Sequence, residues 1–186
     1  MAVFDRDAFV QECMEARAET SDPQQTVRAV MEEAIAAPRE IEQAMGAPSG
    51  NPVFTTWHRS DALTILHVVW PPAVDLFAHD HNMWAVIGLY GGREDNRFFR
   101  RLPNGGITPT GGKTLLKGDL VSLDADVVHA VANTSREWTG SIHVYGGDYF
   151  ATPRNMWRGD PPHVEPFDAE ELQQVLELAA HRAGRP

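Results

Sequence analysis

Apolar and polar positions divide this sequence into a helical first part, a β-rich middle and a helical last part. The apolar residues that recur at helical spacing in the first part are Phe9, Cys13, Ala16, Val27, Val30, Ala34 and Ile41. Asp22 followed by Pro23 is typical of a helix start, because proline is tolerated in the first turn. The pattern therefore predicts helices within residues 5–45, which the glycine- and proline-rich run at 46–52 ends.

The middle of the chain is rich in β-branched and aromatic residues and is punctuated by glycine. The predicted strands lie near residues 62–70, 83–91, 95–101, 114–123, 127–132 and 138–146. Short strands at this spacing are typical of an antiparallel sandwich or barrel, so the fold class is predicted to be mainly β.

The last part of the chain predicts one more helix. Asp168 is a suitable N-cap, Glu171 is placed to reach back to it, and apolar residues at helical spacing continue to about residue 182. We expect one domain in three stretches: an N-terminal helical segment packed on the barrel (1–50), the barrel itself (51–158), and a C-terminal tail and helix (159–186).

Composition and charge exclude several classes of partner. The 186 residues are 42% hydrophobic and 23% charged, as in an ordinary globular domain, and the net charge is -10. An acidic domain repels phosphate backbones, so we expect no nucleic-acid partner. The sequence has neither a Lys/Arg cluster nor an apolar run of about 20 residues, so we expect no membrane partner either.

Cysteine usage and the amino-terminal residues predict the compartment. The single cysteine, Cys13, excludes an internal disulfide framework and a cysteine-rich zinc site. The run Met1-Ala-Val-Phe-Asp-Arg lacks the basic and apolar stretches of a signal peptide. These features predict a cytoplasmic protein, and they leave its oligomeric state open.

Histidines supply the candidate chemistry. His79 and His81 stand at i and i+2 at the entrance to a predicted strand, where such residues share a face and can converge on one ion. The best candidate for a third ligand is His129, in the later strand Asp126-Val-Val-His-Ala-Val-Ala-Asn. Nitrogen ligands suit iron, zinc, copper and nickel alike, so these histidines predict a metal site without selecting the metal.

Two runs of the sequence resemble the cysteine dioxygenase and 3-mercaptopropionate dioxygenase group of cupins. They are His-Asp-His-Asn-Met-Trp-Ala-Val-Ile-Gly-Leu-Tyr-Gly-Gly-Arg-Glu (79–94) and Ser-Ile-His-Val-Tyr-Gly-Gly (141–147). The resemblance, which extends over about residues 54–157, implies a cupin double-stranded β-helix, a jelly-roll barrel. It also implies Fe(II), held by His79, His81 and His129, and the O2-dependent conversion of a small thiol to a sulfinic acid.

The second run contains alternating polar residues. Ser141, His143 and Tyr145 alternate with aliphatic residues, so in a strand they face one side. A row of hydroxyl, imidazole and phenol inside a barrel needs mutual hydrogen bonds. The resemblance implies a catalytic relay in which Tyr145 points to substrate or oxygen, His143 orients Tyr145, and Ser141 orients His143.

The sequence also departs from the pattern of this family. Many cupins place a carboxylate ligand four or five residues after the second histidine, but Ala85 and Val86 stand there in this chain. Glu94, a strand later, is expected to be a solvated turn residue. Alignment places Thr56 where cysteine dioxygenases carry the arginine that binds the substrate carboxylate, and threonine cannot form a bidentate pair with a carboxylate.

The substrate-binding residues are therefore predicted elsewhere. Arg154 is the candidate for binding an anion, because some bacterial members have a pocket arginine in this region and a guanidinium suits a planar carboxylate. Trp84 is expected to line the pocket wall. A small thiol acid, such as 3-mercaptopropionate or a relative, is favoured over cysteine.

Two alternative functions stay open. One is a three-histidine cupin dioxygenase that cleaves a carbon–carbon bond, as the β-diketone-cleaving cupins do, which the missing arginine makes more plausible. The other is a non-catalytic, metal-binding cupin, for which the row of Ser141, His143 and Tyr145 would have no purpose.

Overall fold

A computed structural model describes residues 4–18 and 21–184, with helices at both ends of a β-rich centre. The helices are α1 (Arg6–Ala18), α2 (Pro23–Ile35), α3 (Pro38–Met45) and α4 (Ala169–Ala183). The strands are β1 (Val53–Arg59), β2 (Thr64–Trp70), β3 (Ala78–Asp80), β4 (Ala85–Gly91), β5 (Arg93–Arg101), β6 (Ile107–Leu116), β7 (Leu120–Leu123), β8 (Val128–Ala132), β9 (Thr139–Tyr145), β10 (Asn155–Arg158) and β11 (His163–Pro166).

The strands form two antiparallel sheets that face each other around an apolar interior. The five-stranded sheet has the order β1-β2-β9-β4-β7, and the six-stranded sheet has the order β11-β10-β3-β8-β5-β6. Side chains from both sheets fill one cluster, which includes Val68 of β2, Ile87 of β4 and Val131 of β8. This arrangement confirms the predicted fold, a mainly-β double-stranded β-helix with N-terminal helices and a C-terminal helix.

The helices α1 to α3 cover the outer face of the five-stranded sheet. Met31 and Ile35 of α2 pack with Val86 of β4 and Val144 of β9 in a second apolar cluster. The neighbouring Ile87 faces the barrel interior instead, since successive side chains of a strand point to opposite faces. The five-stranded sheet is therefore buried on both of its faces in this region.

The predicted helix starts at Asp22 and Asp168 are both confirmed. Asp22 caps α2 by accepting a hydrogen bond of 3.2 Å from a backbone N–H of its first turn. Asp168 caps α4 by accepting from the backbone N–H groups of Glu170 (2.8 Å) and Glu171 (3.1 Å). The expected return of the Glu171 side chain to this cap is wrong, because its carboxylate forms an ion pair with Arg158. Among the helices in the described part of the chain, none has the length and apolar character needed to cross a membrane.

The strand prediction is wrong in three respects. The expected single strand at 114–123 is divided into β6 and β7 by a turn in which Gly118 has a left-handed φ of 91°. β6 also begins earlier than expected. Its first residues were not predicted as a strand, because most residues of β6 are exposed and show no apolar alternation. The prediction lacks β1, β3, β10 and β11, each of which is either short or largely exposed.

A methyl group added at Gly88 tests the packing of α2 on β4. A Cβ there would lie 2.6 Å from Cγ1 of Ile35 and 2.7 Å from Sδ of Met31. We expect Gly88→Ala to lower the free energy of unfolding by about 1–3 kcal/mol in urea denaturation, because the helix must shift to admit the methyl group. Gly147→Ala is the matched control, since its Cβ would come no closer than 3.5 Å to Met83. Equal losses in the two variants would contradict this packing.

Candidate metal centre

Strand pairing brings the predicted metal ligands together. In the ladder between β3 and β8, His79 lies directly opposite His129. His81 follows His79 at i+2, just beyond β3, and points to the same inner face. All three side chains are buried, and one ligand nitrogen from each lies within 4.8 Å of the others. The three residues thus form a cluster that could bind a metal ion.

Hydrogen bonds at the far side of two imidazoles orient their rings. Nδ1 of His79 lies 3.2 Å from the backbone carbonyl of Phe77, and Nδ1 of His129 lies 2.8 Å from Oδ1 of Asn96. Both of these oxygens can only accept, so each Nδ1 carries the ring proton and each Nε2 keeps a free lone pair. The Nε2 atoms of His129 and His81 are 3.4 Å apart, so both face the inside of the cluster.

Burial keeps the histidine cluster neutral. It lowers the pKa of His79 to about 4 and holds the pKa values of His81 and His129 well below the usual 6.5. The neighbouring imidazoles lower the pKa values of His81 and His129 further. Neutral imidazole is the form that binds a metal, so these residues fit a divalent ion that accepts nitrogen ligands.

Asp80, between His79 and His81, points to the opposite face and anchors β3. Its carboxylate is fully buried and accepts hydrogen bonds of 2.8 Å from Arg101, from the backbone N–H of Asn155 and from the Asn155 side chain. Charge-assisted hydrogen bonds of this kind are among the strongest in proteins. They tie β3 to β10 and therefore to the segment that carries the neighbouring Arg154.

The predicted relay residues form a continuous hydrogen-bonded row on β9, across the barrel from β3. The Ser141 hydroxyl lies 2.8 Å from Nε2 of His143, and Nδ1 of His143 lies 2.9 Å from the Tyr145 hydroxyl. The Tyr145 ring lies 5.0 Å from the His81 ring, measured between centroids. Burial lowers the pKa of His143 to about 3 and raises the pKa of Tyr145 well above 10, so the phenol keeps its proton.

One cavity joins the histidine cluster to the end of this row. It is narrow, with about 20 Å³ accessible to the centre of a water-sized sphere. The side chains that line it are Phe54, Trp70, Leu76, Phe77, His79, His81, Ile87, His129, Val131, His143, Tyr145, Tyr149, Phe167 and Leu172. Most of this wall is apolar, and its polar groups are the imidazoles, the phenols of Tyr145 and Tyr149, and the indole N–H of Trp70.

Arg154 lies beside this cavity, held between two aromatic rings of its wall. Its guanidinium carbon is 3.9 Å from the centre of the Tyr149 ring and 4.0 Å from the centre of the Phe167 ring. Its Nη1 is buried and has no hydrogen-bond partner within the described residues. Its positive charge also lowers the pKa values of His79 and His81. The structure thus places this predicted anion-binding residue next to the histidine cluster.

The other two predicted substrate-binding residues lie outside the cavity. Thr56 is exposed on the edge strand β1, and Phe54, two residues earlier on the same face, contributes to the cavity wall instead. Trp84 packs on Gly146 and belongs to the apolar cluster under the N-terminal helices. Successive side chains of a strand point to opposite faces, and Ala85 and Ile87 face the interior. Trp84 therefore faces outward.

Glu94 and Asn96 are part of the site, although sequence reasoning did not find them. The expectation of a solvated Glu94 is wrong, since only 1% of this residue is exposed. Its Oε1 accepts a hydrogen bond of 2.9 Å from Nδ2 of Asn96, whose Oδ1 meets His129. Burial raises the pKa of Glu94 to about 7, although the amide of Asn96 and the indole of Trp70 oppose the shift. Among the described residues, neither Trp70 Nε1 nor Glu94 Oε2 has a hydrogen-bond partner, so the indole and the carboxyl are not hydrogen-bonded to each other.

Comparison with known proteins bears on the fold. No protein-family profile matches the sequence. Among solved structures, a crystal structure of a Bacillus halodurans protein aligns with 73% of this chain and 90% of its own, at 13% identity and a TM-score of 0.50.

Two further solved structures have titles that describe a double-stranded β-helix. An RmlC-like cupin family protein from Methanocaldococcus jannaschii is 13% identical over 55% of this chain and 85% of its own, with a TM-score of 0.46. An uncharacterized conserved protein from Klebsiella pneumoniae is 16% identical over 58% of this chain and 80% of its own, with a TM-score of 0.43. At such identities the likeness concerns the fold alone: the double-stranded β-helix of this chain is shown by its own two antiparallel sheets, and its activity has to be argued from the site.

Replacing Asp80 tests whether its buried carboxylate anchors the ligand-bearing strand. In Asp80→Asn, one oxygen that accepts from Arg101 and Asn155 becomes a donor, so a buried donor loses its partner. We expect a loss of about 1–3 kcal/mol in the free energy of unfolding, measured by urea denaturation. Asp148→Asn is the control, because it alters a partly exposed ion pair with Arg59 and should cost about 0–1 kcal/mol. A loss no larger for Asp80→Asn than for Asp148→Asn would show that Asp80 is not an anchor.

Proposed function

We propose that this cupin-fold protein is a non-haem Fe(II)- and O2-dependent thiol dioxygenase that oxidises a small thiol acid, such as 3-mercaptopropionate or a relative, to its sulfinic acid. The observation that carries the proposal is the hydrogen-bonded row Ser141–His143–Tyr145, which ends in the same buried cavity as the three histidines. A protein that only stored a metal would have no use for a buried phenol held in this position.

The proposed iron ligands are the Nε2 atoms of His79, His81 and His129. Three neutral imidazoles leave a bound ion with its full charge and with open positions, and no carboxylate stands at Ala85 or Val86 to reduce that charge. Iron bound there would supply the sites at which a substrate thiolate and O2 come together. The aliphatic side chains of Ile87 and Val131 face the same interior, which keeps water away from the site.

In this proposal, Arg154 binds the carboxylate of the substrate. The rings of Tyr149 and Phe167 fix the plane of the guanidinium, and its buried Nη1 is left without a partner among the described residues. A planar, permanently charged group with an unused donor is suited to a carboxylate. A short thiol acid could then place its sulfur towards the histidines and its carboxylate towards Arg154.

Tyr145 would donate a hydrogen bond to the bound substrate or oxygen. The high pKa of Tyr145 keeps the phenol protonated at neutral pH. If the Ser141 hydroxyl donates to Nε2 of His143, then Nδ1 of His143 carries the proton and donates to the phenol oxygen. The phenolic O–H is then free to point into the cavity.

A second candidate is a three-histidine dioxygenase that cleaves a carbon–carbon bond. It is favoured by the apolar character of the cavity wall, to which Leu76, Ile87 and Leu172 contribute, because such a wall also suits a β-diketone. Product analysis separates the two candidates, since one reaction yields a sulfinate and the other yields two carbonyl fragments.

Oxygen consumption tests the proposed reaction class. The purified protein is loaded anaerobically with Fe(II), O2 uptake is followed with a panel of small thiols, and the products are identified by mass spectrometry. We expect thiol-dependent uptake and a product that is heavier by two oxygen atoms, and we expect His79→Ala to lose both bound iron and uptake. If iron binds but no thiol supports uptake, the thiol dioxygenase is excluded and β-diketones are tested next.

The substrate dependence of an Arg154 variant tests the proposed carboxylate contact. We expect Arg154→Gln to raise KM for the thiol acid about 10- to 100-fold, because a charged hydrogen bond is worth roughly 1.5–3 kcal/mol. KM for a thiol that has an alcohol in place of the carboxylate should change little. Arg158→Gln, which removes a nearby arginine paired with Glu171, serves as the control. An unchanged KM for the thiol acid in Arg154→Gln would exclude this role.

A further inference from the structure

The side chain of Asn96 joins His129 to a buried carboxyl. Oδ1 of Asn96 lies 2.8 Å from Nδ1 of His129, and Nδ2 of Asn96 donates a hydrogen bond of 2.9 Å to Oε1 of Glu94. All three side chains are almost completely buried. β5 places Glu94 and Asn96 on its inner face, and its register with β8 brings Asn96 beside the strand of His129.

In these three side chains, His129 donates to Asn96 and Asn96 donates to Glu94. Oε1 of Glu94 accepts from the NH2 end of the Asn96 amide, and it can do so whether or not Oε2 carries a proton. The amide oxygen of Asn96 then faces His129, and it can accept a hydrogen bond only from an N–H group of that ring. The proton of the neutral His129 ring must therefore be on Nδ1, which frees Nε2. An asparagine without Glu94 could present either end, because its oxygen and NH2 group have nearly the same shape.

The other oxygen of the Glu94 carboxyl, Oε2, lies on the side away from Asn96. Oε2 of Glu94 and Nε1 of Trp70 are buried, and neither has a hydrogen-bond partner within the described part of the chain. Among the described residues, the hydrogen bond from Asn96 to Oε1 is therefore the one that holds the Glu94 carboxyl.

We propose that Glu94 is a positioning residue that acts through Asn96 to select the ring tautomer of His129 in which Nε2 is free to bind a metal. The inference rests on the proposed metal centre, but the tautomer is a property of the metal-free protein and can be measured without metal. A purely structural account explains the position poorly, because burying a carboxyl with one unpartnered oxygen is costly and an apolar residue would avoid that cost.

The substitution Glu94→Gln separates these two accounts. It preserves shape but converts one carboxyl oxygen into an NH2 group. The new amide can present either its oxygen or its NH2 to Asn96, so the amide of Asn96 is no longer held in one orientation. Where the NH2 faces Asn96, the Asn96 amide turns over and presents its own NH2 to His129. We expect a share of His129 to carry its proton on Nε2 and the affinity for Co(II) to fall about 2- to 10-fold.

A second substitution is designed to restore the pattern. In the double variant Glu94→Gln/Asn96→Asp, the new carboxylate at residue 96 accepts from the new NH2 on one side and from Nδ1 of His129 on the other. We expect this variant to recover the Nδ1–H tautomer and to bind Co(II) more tightly than Glu94→Gln.

Asp95→Asn is the matched control on the same strand. Asp95 lies on the opposite face of β5, where it binds Arg93, Thr114 and Thr134. We expect this variant to lose stability without a change in the tautomer of His129 or in Co(II) affinity.

The measurements are nitrogen NMR shifts of isotope-labelled histidine in the metal-free protein and Co(II) titration in competition with a chelator. An unchanged Nδ1–H tautomer in folded Glu94→Gln would overturn the proposal, and so would a double variant that folds but stays as impaired as Glu94→Gln. If the original protein binds no Co(II) while its variants shift the tautomer as expected, the proposed metal centre fails and the control of His129 by Glu94 stands.

Discussion

The antiparallel pairing of β3 with β8 is the constraint on which the candidate centre depends. The ladder places His79 opposite His129 by backbone hydrogen bonds alone, and the alternation of an extended chain adds His81 to the same face. The same alternation turns Asp80 outward, where its buried carboxylate pairs with the partly exposed Arg101. Because both interactions act on one short strand, the fold itself sets the relative positions of the imidazoles.

The two sheets contribute different chemistry to the one cavity between them. The six-stranded sheet carries the imidazoles, and the five-stranded sheet carries the row that ends at Tyr145. Burial removes the charged form of each of these groups, so the imidazoles stay neutral and the phenol stays protonated. Arg154 brings a positive charge to the edge of these neutral groups, and an anion entering the cavity would therefore be attracted towards it.

Those parts of the site that depend on local spacing could be predicted from the sequence. The i, i+2 relations of His79 with His81 and of His143 with Tyr145 hold in any extended strand. The prediction of Thr56 depended on an alignment through a hairpin that is shorter here than in the family, and β1 places this residue outside the cavity. No local signal marked Glu94, because the residues around it in β5 are all polar and hydrophobicity cannot reveal which of them face inward. The register of β5 against β8 decides that question, and it is a tertiary property.

The cavity wall also includes side chains from outside the ligand-bearing strands. Phe167 precedes α4 and Leu172 lies within it, and both line the cavity, while Phe167 also packs on the guanidinium of Arg154. This segment can therefore accumulate substitutions that reshape the substrate space without disturbing the ladder that aligns the imidazoles. Related proteins could diverge in substrate preference through this one stretch of chain and keep the same chemistry at their centre.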